Sequence, residues 1–289
     1  MAMINVYQRY VMKSICPSVT AWRVARHRAR HQILEYGVIF SDPLAITVLG
    51  EDVEALASET DTAEEKNFRL FMAIRSRIAE DALSKAVQRG VRQAVILGAG
   101  ADTLGLRNPH EGSGLNVFEV DRPVMQDWKK WHLAEKGLTV PASLKFVPVD
   151  FEQDNLCSCL KMAGFNPAKP SFFSWLGVVP YLSQESIENT LRFVASTPGS
   201  EIVFDYGEPI EEYEGKHKEL MEKRKTFVAS VGEPWISRFT PDEMHALLRK
   251  CGLSNFTDYN RAGISSYFGW PLKEGTSKAG PHVIDALFA

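Results

Sequence analysis

Two glycines and one acid have the spacing in this chain that most directly indicates a binding site. Gly98 and Gly100 follow the apolar run at residues 94–97, and Asp121 ends a second apolar run about 20 residues further on. Glycines after a strand leave bare backbone at the start of a helix, where a ligand can lie close. An acid at this distance is the usual partner of ribose hydroxyls. Together these residues predict a cofactor that contains adenosine.

Neighbouring residues favour S-adenosylmethionine over NAD as that cofactor. Thr103 stands where the dinucleotide fingerprint has the third glycine that allows close packing beside a pyrophosphate. The carboxylate of Asp102 is a poor neighbour for phosphate and a good one for an ammonium group. Asp150 and Phe151 fit an adenine site, since the acid can accept from the exocyclic amine and the ring can pack on the base. Two structural alternatives stay open: Phe151 in the core, and Asp150 as the cap of a helix near Gln153.

The elements that would position these residues alternate between strand and helix. Short apolar runs predict five strands, at residues 94–97, 117–121, 144–149, 171–176 and 201–206. Two further strands are expected near Phe256 and Tyr267. Helical spacing predicts helices at about 19–34, 61–90, 123–137, 185–195 and 240–252, and a solvated, charged helix within 207–232. This alternation predicts an α/β fold on a parallel sheet, in which ligands bind beyond the carboxyl ends of the strands.

Composition and charge place the chain among folded enzymes. Of its 289 residues 45% are apolar and 24% are charged, which excludes a disordered chain. The net charge of −3 and the pI of about 6.2 disfavour nucleic acid, including a modified RNA, as a partner or substrate. The sequence has no apolar run of about 18 residues that could span a membrane. No repeat and no linker rich in Gly, Ser or Pro divides the chain, so a single domain over residues 1–289 is expected.

The cysteines and histidines indicate a reducing compartment and no metal site. The four cysteines are scattered, and Cys157 and Cys159 lack C-x-x-C spacing, which fits free thiols in a cytoplasmic protein. His27 and His31 lie one helical turn apart, but arginines surround them and the glutamate of H-E-x-x-H is missing. We therefore expect a cytoplasmic protein in which neither the Cys157/Cys159 pair nor the His27/His31 pair binds a metal ion.

The amino-terminal segment is basic, and its first acidic residue is Glu35. An Arg-rich segment without acids is typical of a mitochondrial transit peptide. The alternative is a folded helix with a basic face over residues 19–34. Residues 39–45 favour this alternative, because they are typical of a turn followed by a new helix with Pro43 at its first position.

At this point the motifs resemble those of a known family, the leucine carboxyl methyltransferases, which include O-methyltransferases of polyketide biosynthesis. The similar segments cover nearly the whole chain and are LGAGADT (97–103), FEVDRP (118–123), FSDPLA (40–45), RSR (75–77), GVVPYL (177–182), VFD (203–205) and 232–253. The resemblance implies a Rossmann-like class I methyltransferase fold: a seven-stranded, mostly parallel sheet with an antiparallel last strand and helices on both faces. It also implies that the basic amino-terminal helix belongs to a helical cap over the sheet, which argues against a transit peptide.

The same resemblance suggests how a single methyltransferase domain would be divided. Residues 1–90 would form the N-terminal helical cap, and residues 91–207 the cofactor-binding half. A helical insertion would follow at 208–238, and a C-terminal helix and strands at 239–289.

Roles for individual residues are implied by the resemblance, position by position. Arg75 would clamp the methionine carboxylate, because a guanidinium fork fits a carboxylate. Gly98 and Gly100 would line the methionine part of S-adenosylmethionine. Asp121 would bind the ribose, and Asp150 with Phe151 the adenine; Asp102 remains the candidate for an amino group.

Two positions depart from the pattern of the family. Leu176 stands where many members have an acid five residues before the equivalent of Tyr181, so one contact to the methionine ammonium is in doubt. Backbone carbonyls near Gly98 and Leu176 are the expected replacement. Leu104 stands where many members have an arginine.

These residues predict an S-adenosylmethionine-dependent O-methyltransferase with a small-molecule acceptor. A carboxylate, with a pKa near 4, is ionised without help, whereas a phenol with a pKa near 10 needs a base. His132, His217 and His245 all fall on predicted helices, where a core or solvated position is expected. A carboxylate acceptor is therefore favoured, and Tyr181 is the candidate to orient it.

Two functions of other classes remain open. A non-catalytic protein that binds the cofactor or a partner is suggested by the missing acid at Leu176. An NAD-type oxidoreductase is the second alternative, since a glycine-rich turn followed by an acid also occurs in dinucleotide sites.

Overall fold

A seven-stranded sheet forms the centre of the protein, seen in a computed structural model that describes residues 16–271 and 279–288. The strands are β1 (Gln93–Leu97), β2 (Asn116–Asp121), β3 (Leu144–Pro148), β4 (Phe172–Trp175), β5 (Glu201–Gly207), β6 (Asn255–Tyr259) and β7 (Pro281–Leu287). Their order is β3-β2-β1-β4-β5-β7-β6. The first five strands are parallel, and β7 runs antiparallel to both β5 and β6. The predicted mostly parallel sheet with an antiparallel last strand is confirmed.

Helices flank this sheet and precede it in the chain. They are α1 (Val19–Leu34), α2 (Ala45–Leu49), α3 (Val53–Ser58), α4 (Ala63–Gln88), α5 (Leu104–Arg107), α6 (Pro123–Glu135), α7 (Leu156–Met162), α8 (Gln184–Ala195), α9 (Gly215–Ser230), α10 (Pro241–Lys250) and α11 (Arg261–Phe268). Short 3-10 turns lie at Glu111–Ser113, Val179–Tyr181 and Ile210–Glu212. The division of the chain into four segments stays a prediction.

Each face of the sheet has its own apolar core. On β5, Phe204 packs with Ile187 of α8 and Met244 of α10, whereas Val203 packs with Leu83 of α4. Successive side chains of a strand point to opposite faces, and both faces are covered, so these strands are apolar without interruption. The prediction of helices on both faces is therefore confirmed.

The first helices form a roof that is bound to the sheet by buried charges. Arg28 of α1 donates to Asp42 Oδ2 at 2.5 Å and to Asp102 Oδ2 at 2.7 Å. Ala25 of α1 packs in a third core with Trp128 of α6. A basic segment packed in this way is folded structure, as the second interpretation of residues 19–34 predicted; residues 1–15 of that segment lie outside the described residues.

Two predicted elements are wrong. Tyr267 is not in a strand but in α11, because Ile264, Tyr267 and Phe268 follow helical spacing and Asn260 caps the helix by accepting from Gly263 N. The last strand is β7 instead. Pro43 is not the first residue of a helix either, since α2 begins two residues later.

None of the helices within the described ranges is long and apolar enough to cross a membrane.

Candidate functional site

The turn after β1 is tightly packed, and only glycine fits its first position. Gly98 has φ +67°, and a Cβ there would lie 2.3 Å from Val178 Cγ2. The amides of Gly98 and Ala99 both donate to Val120 O, at 2.8 and 3.0 Å. The turn is therefore held against the end of β2 by its own backbone. This is the glycine turn that the sequence predicted next to Asp121.

Asp121 lies at the rim of the sheet and is bonded to that turn. Its Oδ2 accepts from Gly100 N at 2.6 Å, and its Oδ1 accepts from Arg122 N at 2.8 Å. Burial raises the pKa of Asp121, although these two amides act in the opposite direction. The side chain keeps part of its surface accessible. Asp121 is thus placed where a ligand on the glycine turn would meet its carboxylate.

Glu119, two residues earlier on the same strand, is buried below the edge of the sheet. Its side chain is fully buried, and its Oε2 accepts from Lys129 Nζ at 2.5 Å. Burial raises the pKa of Glu119 to about 7, against the effect of the lysine. Both acids point to one face of β2, as the alternation of a strand requires. The structure shows that the two acids differ in exposure: Glu119 is buried, whereas Asp121 is partly exposed.

Asp102 has protein partners on both carboxylate oxygens. Its Oδ2 accepts from Arg28, and its Oδ1 accepts from Leu104 N at 2.7 Å. Burial acts to raise its pKa, but Arg28 and Lys129 outweigh burial and hold the pKa of Asp102 at about 2. These contacts bind the roof helix to the turn after β1. A role of Asp102 toward an amino group of a cofactor stays a prediction.

Arg75 reaches from the roof to the opposite side of the glycine turn. The guanidinium is buried, and its Nη1 donates to Asp205 Oδ2 at 2.7 Å. Asp205 Oδ1 accepts from Gly177 N at 2.5 Å. Gly177 has φ +77°, and a Cβ there would lie 3.0 Å from both Nη1 and Nη2 of Arg75. Glycine at this position therefore lets the guanidinium lie flat against the backbone after β4.

Arg77, two residues after Arg75, forms a surface ion pair instead. Arg77 is exposed, and its Nε donates to Asp81 Oδ2 at 2.8 Å. The partner of Arg75, Asp205, was not among the site residues predicted from the sequence. Its position at the end of β5 is the signal that could have identified it, since acids at strand ends face the ligand edge of such a sheet.

Asp150 and Phe151 follow β3 in a turn. Asp150 Oδ1 accepts from Glu152 N at 3.0 Å. The next helix, α7, begins only at Leu156 and is capped by Asn155, so the interpretation of Asp150 as a helix cap near Gln153 is wrong. Phe151 is partly buried and lies near Trp175, with ring centroids 6.5 Å apart. Phe151 therefore packs against the core, as the alternative interpretation expected, and its role toward adenine stays a prediction.

Leu176 and Tyr181 lie after β4, beside Arg75. Leu176 is partly buried against the core under α4. The Tyr181 hydroxyl is hydrogen-bonded with the side chains of Thr20 and Trp235, and burial raises the pKa of Tyr181. Thr20 N in turn donates to Glu233 Oε2 at 2.9 Å. The start of the roof helix and the segment after α9 therefore meet at Tyr181.

The strand order aligns the predicted residues along one edge. Asp150 follows β3, Asp121 ends β2, the glycine turn follows β1, and Leu176 follows β4 with Arg75 above it. Adjacent strands lie about 4.8 Å apart, so these positions extend over roughly 15 Å. The glycines make a continuous cradle of backbone between an acid at one end and a guanidinium at the other.

Comparison with known proteins gives the relatives of the chain. A family model described as leucine carboxyl methyltransferase matches residues 21–195. YktD of Bacillus subtilis (strain 168) is 36% identical over 205 residues, 70% of this chain and 67% of that protein. A protein of Rhodococcus jostii (strain RHA1) is 32% identical over 192 residues, 65% of each chain. Both bear provisional names as S-adenosyl-L-methionine-dependent methyltransferases, and the chain spans about half to two thirds of the length of such relatives.

Solved structures give more distant likenesses. The magnesium protoporphyrin IX methyltransferase of Synechocystis PCC 6803, solved with bound SAH, is 12% identical with a TM-score of 0.48; the match covers 93% of this chain and 100% of that one. Human N-acetylserotonin methyltransferase in complex with SAM is 16% identical with a TM-score of 0.45; the match covers 90% of this chain and 66% of that one.

Proposed function

Because this chain belongs to the leucine carboxyl methyltransferase family, we propose that it is an S-adenosylmethionine-dependent O-methyltransferase that methylates a carboxylate of a small molecule. Dependence on S-adenosylmethionine follows from the family. What we propose beyond this is that the methyl group goes to an oxygen atom and that this oxygen belongs to a carboxylate.

The observation that carries the proposal is the placement of Arg75 and Asp121 at the two ends of the glycine cradle. Asp121 would accept hydrogen bonds from the ribose hydroxyls, beside the glycine turn after β1. Arg75, oriented by Asp205, would bind the methionine carboxylate over Gly177. Asp150 with Phe151 would border the adenine beyond Asp121. Backbone carbonyls near Gly98 and Leu176 would accept from the methionine ammonium in place of the missing acid.

S-adenosylmethionine supplies a methyl group on a positively charged sulfur. An acceptor oxygen forms a bond to the methyl carbon while the carbon–sulfur bond breaks and its electron pair stays on sulfur. A carboxylate releases no proton in this step, so the chain needs to supply orientation and exclusion of water rather than a base. Tyr181, whose side chain lies near Arg75, would orient the acceptor.

The histidines considered as bases have other surroundings, which supports a carboxylate over a phenol. His132 is buried, with its Nε2 2.6 Å from Val48 O. His245 Nε2 lies 2.8 Å from Asp258 Oδ2, and His217 is exposed on α9. A phenol, whose pKa lies near 10, would need one of them at the cradle.

Two measurements test the proposed function. Calorimetric titration of the full chain should give binding of S-adenosylhomocysteine and none of NAD; the reverse would identify an oxidoreductase. The chain is then incubated with S-adenosylmethionine labelled with tritium in the methyl group and a metabolite extract. Mild alkali should release the label as volatile methanol, because it hydrolyses methyl esters and leaves aryl methyl ethers intact. Label retained after alkali would show that the acceptor is not a carboxylate. No transfer at all would indicate a non-catalytic binding protein.

A further inference from the structure

Arg238 is a partly buried arginine at the carboxyl end of β5 that has no carboxylate within 4.0 Å in the part of the chain that the structure describes. Its Nε donates to Glu208 O at 2.5 Å. Its Cζ lies 4.6 Å from the centroid of the Trp235 ring and 5.9 Å from that of Tyr213. The guanidinium is therefore held by a carbonyl, the Tyr213 side chain and the Trp235 ring, while Glu208 and Glu211 act on its charge only from beyond ion-pair distance.

The fully buried arginines among the described residues have acids as partners, unlike the partly buried Arg238 and Arg224. Arg28 contacts Asp42 and Arg75 contacts Asp205, each within 2.7 Å. Removing a guanidinium from water costs free energy unless an opposite charge meets it. Consistently, burial lowers the pKa of Arg238. An anion from outside the chain would compensate the charge of Arg238 and so explain an arginine at this position.

The backbone around Arg238 fixes it at the edge where the proposed cofactor site lies. Ile236 N and Ser237 N donate to Pro180 O at 2.7 and 3.2 Å. A Cβ on Gly207, the last residue of β5, would lie 2.8 Å from Arg238 Nη2. The guanidinium thus rests on the end of β5, two residues after Asp205. The adenosine would occupy the opposite end of the edge, over β2 and β3, so an acceptor has to enter from the side of β4 and β5.

We propose that Arg238 binds the carboxylate of the methyl acceptor and selects acids over neutral molecules; this inference rests on the proposed function. One carboxylate oxygen would accept from the guanidinium while the other is free to receive the methyl group. Trp235 and Tyr213 hold the guanidinium flat, which reduces the side-chain entropy lost on binding. The ester product is neutral and loses the charge-assisted hydrogen bond, so it is held less tightly than the acid.

The test measures binding to the full chain saturated with S-adenosylhomocysteine. Calorimetry compares benzoate with benzamide, and hexanoate with hexanamide, so that shape is matched and only the charge differs. We expect the wild type to bind each acid at least about tenfold more tightly than its amide, as a charge-assisted pair of some 1.4 kcal/mol or more would give. Arg238→Gln should remove this preference. Arg249→Gln is the control, because Arg249 is also stacked on a ring, Phe256 at 5.6 Å, but is exposed at the end of α10.

Each outcome separates this inference from the proposed function. Failure of the wild type to bind S-adenosylhomocysteine contradicts the proposed function itself. If that binding occurs but the wild type does not prefer acids, or Arg238→Gln retains the preference, the role of Arg238 alone is wrong. Arg238→Gln should keep its affinity for S-adenosylhomocysteine within about twofold; a larger loss would mean that Arg238 supports the architecture of the site instead.

Discussion

The guanidinium of Arg75 and the carboxylate of Asp205, 130 residues apart in the chain, lie 2.7 Å from each other at the carboxyl end of β5. This pair joins α4 of the roof to the edge of the sheet. Asp205 also accepts from Gly177 N, so one carboxylate positions both the arginine and the turn beneath it. The pair is buried, and a ligand carboxylate placed there would meet a guanidinium whose orientation is already determined.

We expect Arg75→Lys to bind S-adenosylhomocysteine clearly less tightly than the wild type, and Arg75→Ala to lose more than tenfold in affinity. Lysine keeps the charge but not the planar fork that fits a carboxylate. Calorimetric titration measures the affinity. Thermal melting reports whether Arg75→Ala, in which Asp205 has lost its ion-pair partner, still folds.

The control for Arg75 is Arg77→Ala. Arg77 is exposed, and its pair with Asp81 is of the kind that contributes under about 1 kcal/mol. Its loss should leave cofactor affinity nearly unchanged. Equal affinities for the two alanine variants would show that Arg75 serves only to hold the roof.

Asp121→Ala should lower the affinity for S-adenosylhomocysteine about tenfold to a hundredfold, the equivalent of losing roughly 1.5–3 kcal/mol of charge-assisted hydrogen bonding. The residue also holds the amides of Gly100 and Arg122, so a modest decrease in thermal stability is expected alongside. Asp127→Ala, an exposed acid on α6, should change neither quantity. If Asp121→Ala binds S-adenosylhomocysteine as tightly as the wild type, Asp121 does not contact the cofactor.

Lys129→Met should destabilise the fold by about 1–3 kcal/mol, because it leaves Glu119 buried without its hydrogen-bond donor. Lys129 Nζ also donates to Asp102 O, so the turn after β1 loses a contact as well. Urea unfolding measures the effect. Lys130→Met, one residue on and exposed, is the matched control. A loss below about 1 kcal/mol for Lys129→Met would show that Glu119 takes up a proton at little cost.

His282 should make stability depend on pH. Its Nδ1 lies 2.8 Å from Asp258 Oδ1 and its Nε2 lies 3.1 Å from Glu208 Oε1. Burial acts to lower its pKa, but these two acids outweigh burial and raise the pKa of His282 above 6.5. A raised folded-state pKa stabilises the protein fully below the unfolded value near 6.5, and this stabilisation disappears as pH rises through the folded value.

The measurement for His282 is the melting temperature of wild type and His282→Gln at several pH values between about 5.5 and 8.5. The stability difference between the two proteins should be largest at the acidic end and should shrink as pH rises. His217→Gln, on the exposed face of α9, should follow the wild type throughout. A difference that grows with pH would contradict the charged state of His282.

The sequence by itself determined the architecture and the edge at which the proposed site lies. Period-two and period-3.6 patterns are local, so five strands, the long helix α4 and the capped helix α10 could be located to within a few residues. Parallel strands end at one edge, so Gly98, Gly100 and Asp121 could be expected there before any contact was known. The resemblance to a family added the antiparallel last strand.

Only the tertiary structure decided which groups are paired and which are left free. Glu119 and Asp121 are equivalent in a strand pattern, and what separates them is Lys129, brought from α6. Arg75 and Arg238 look alike in the sequence, but within residues 16–271 and 279–288 only Arg75 forms an ion pair with a distant acid. Side-chain pairing depends on residues far apart in the chain, and desolvation makes its energy depend on burial, which no local pattern encodes.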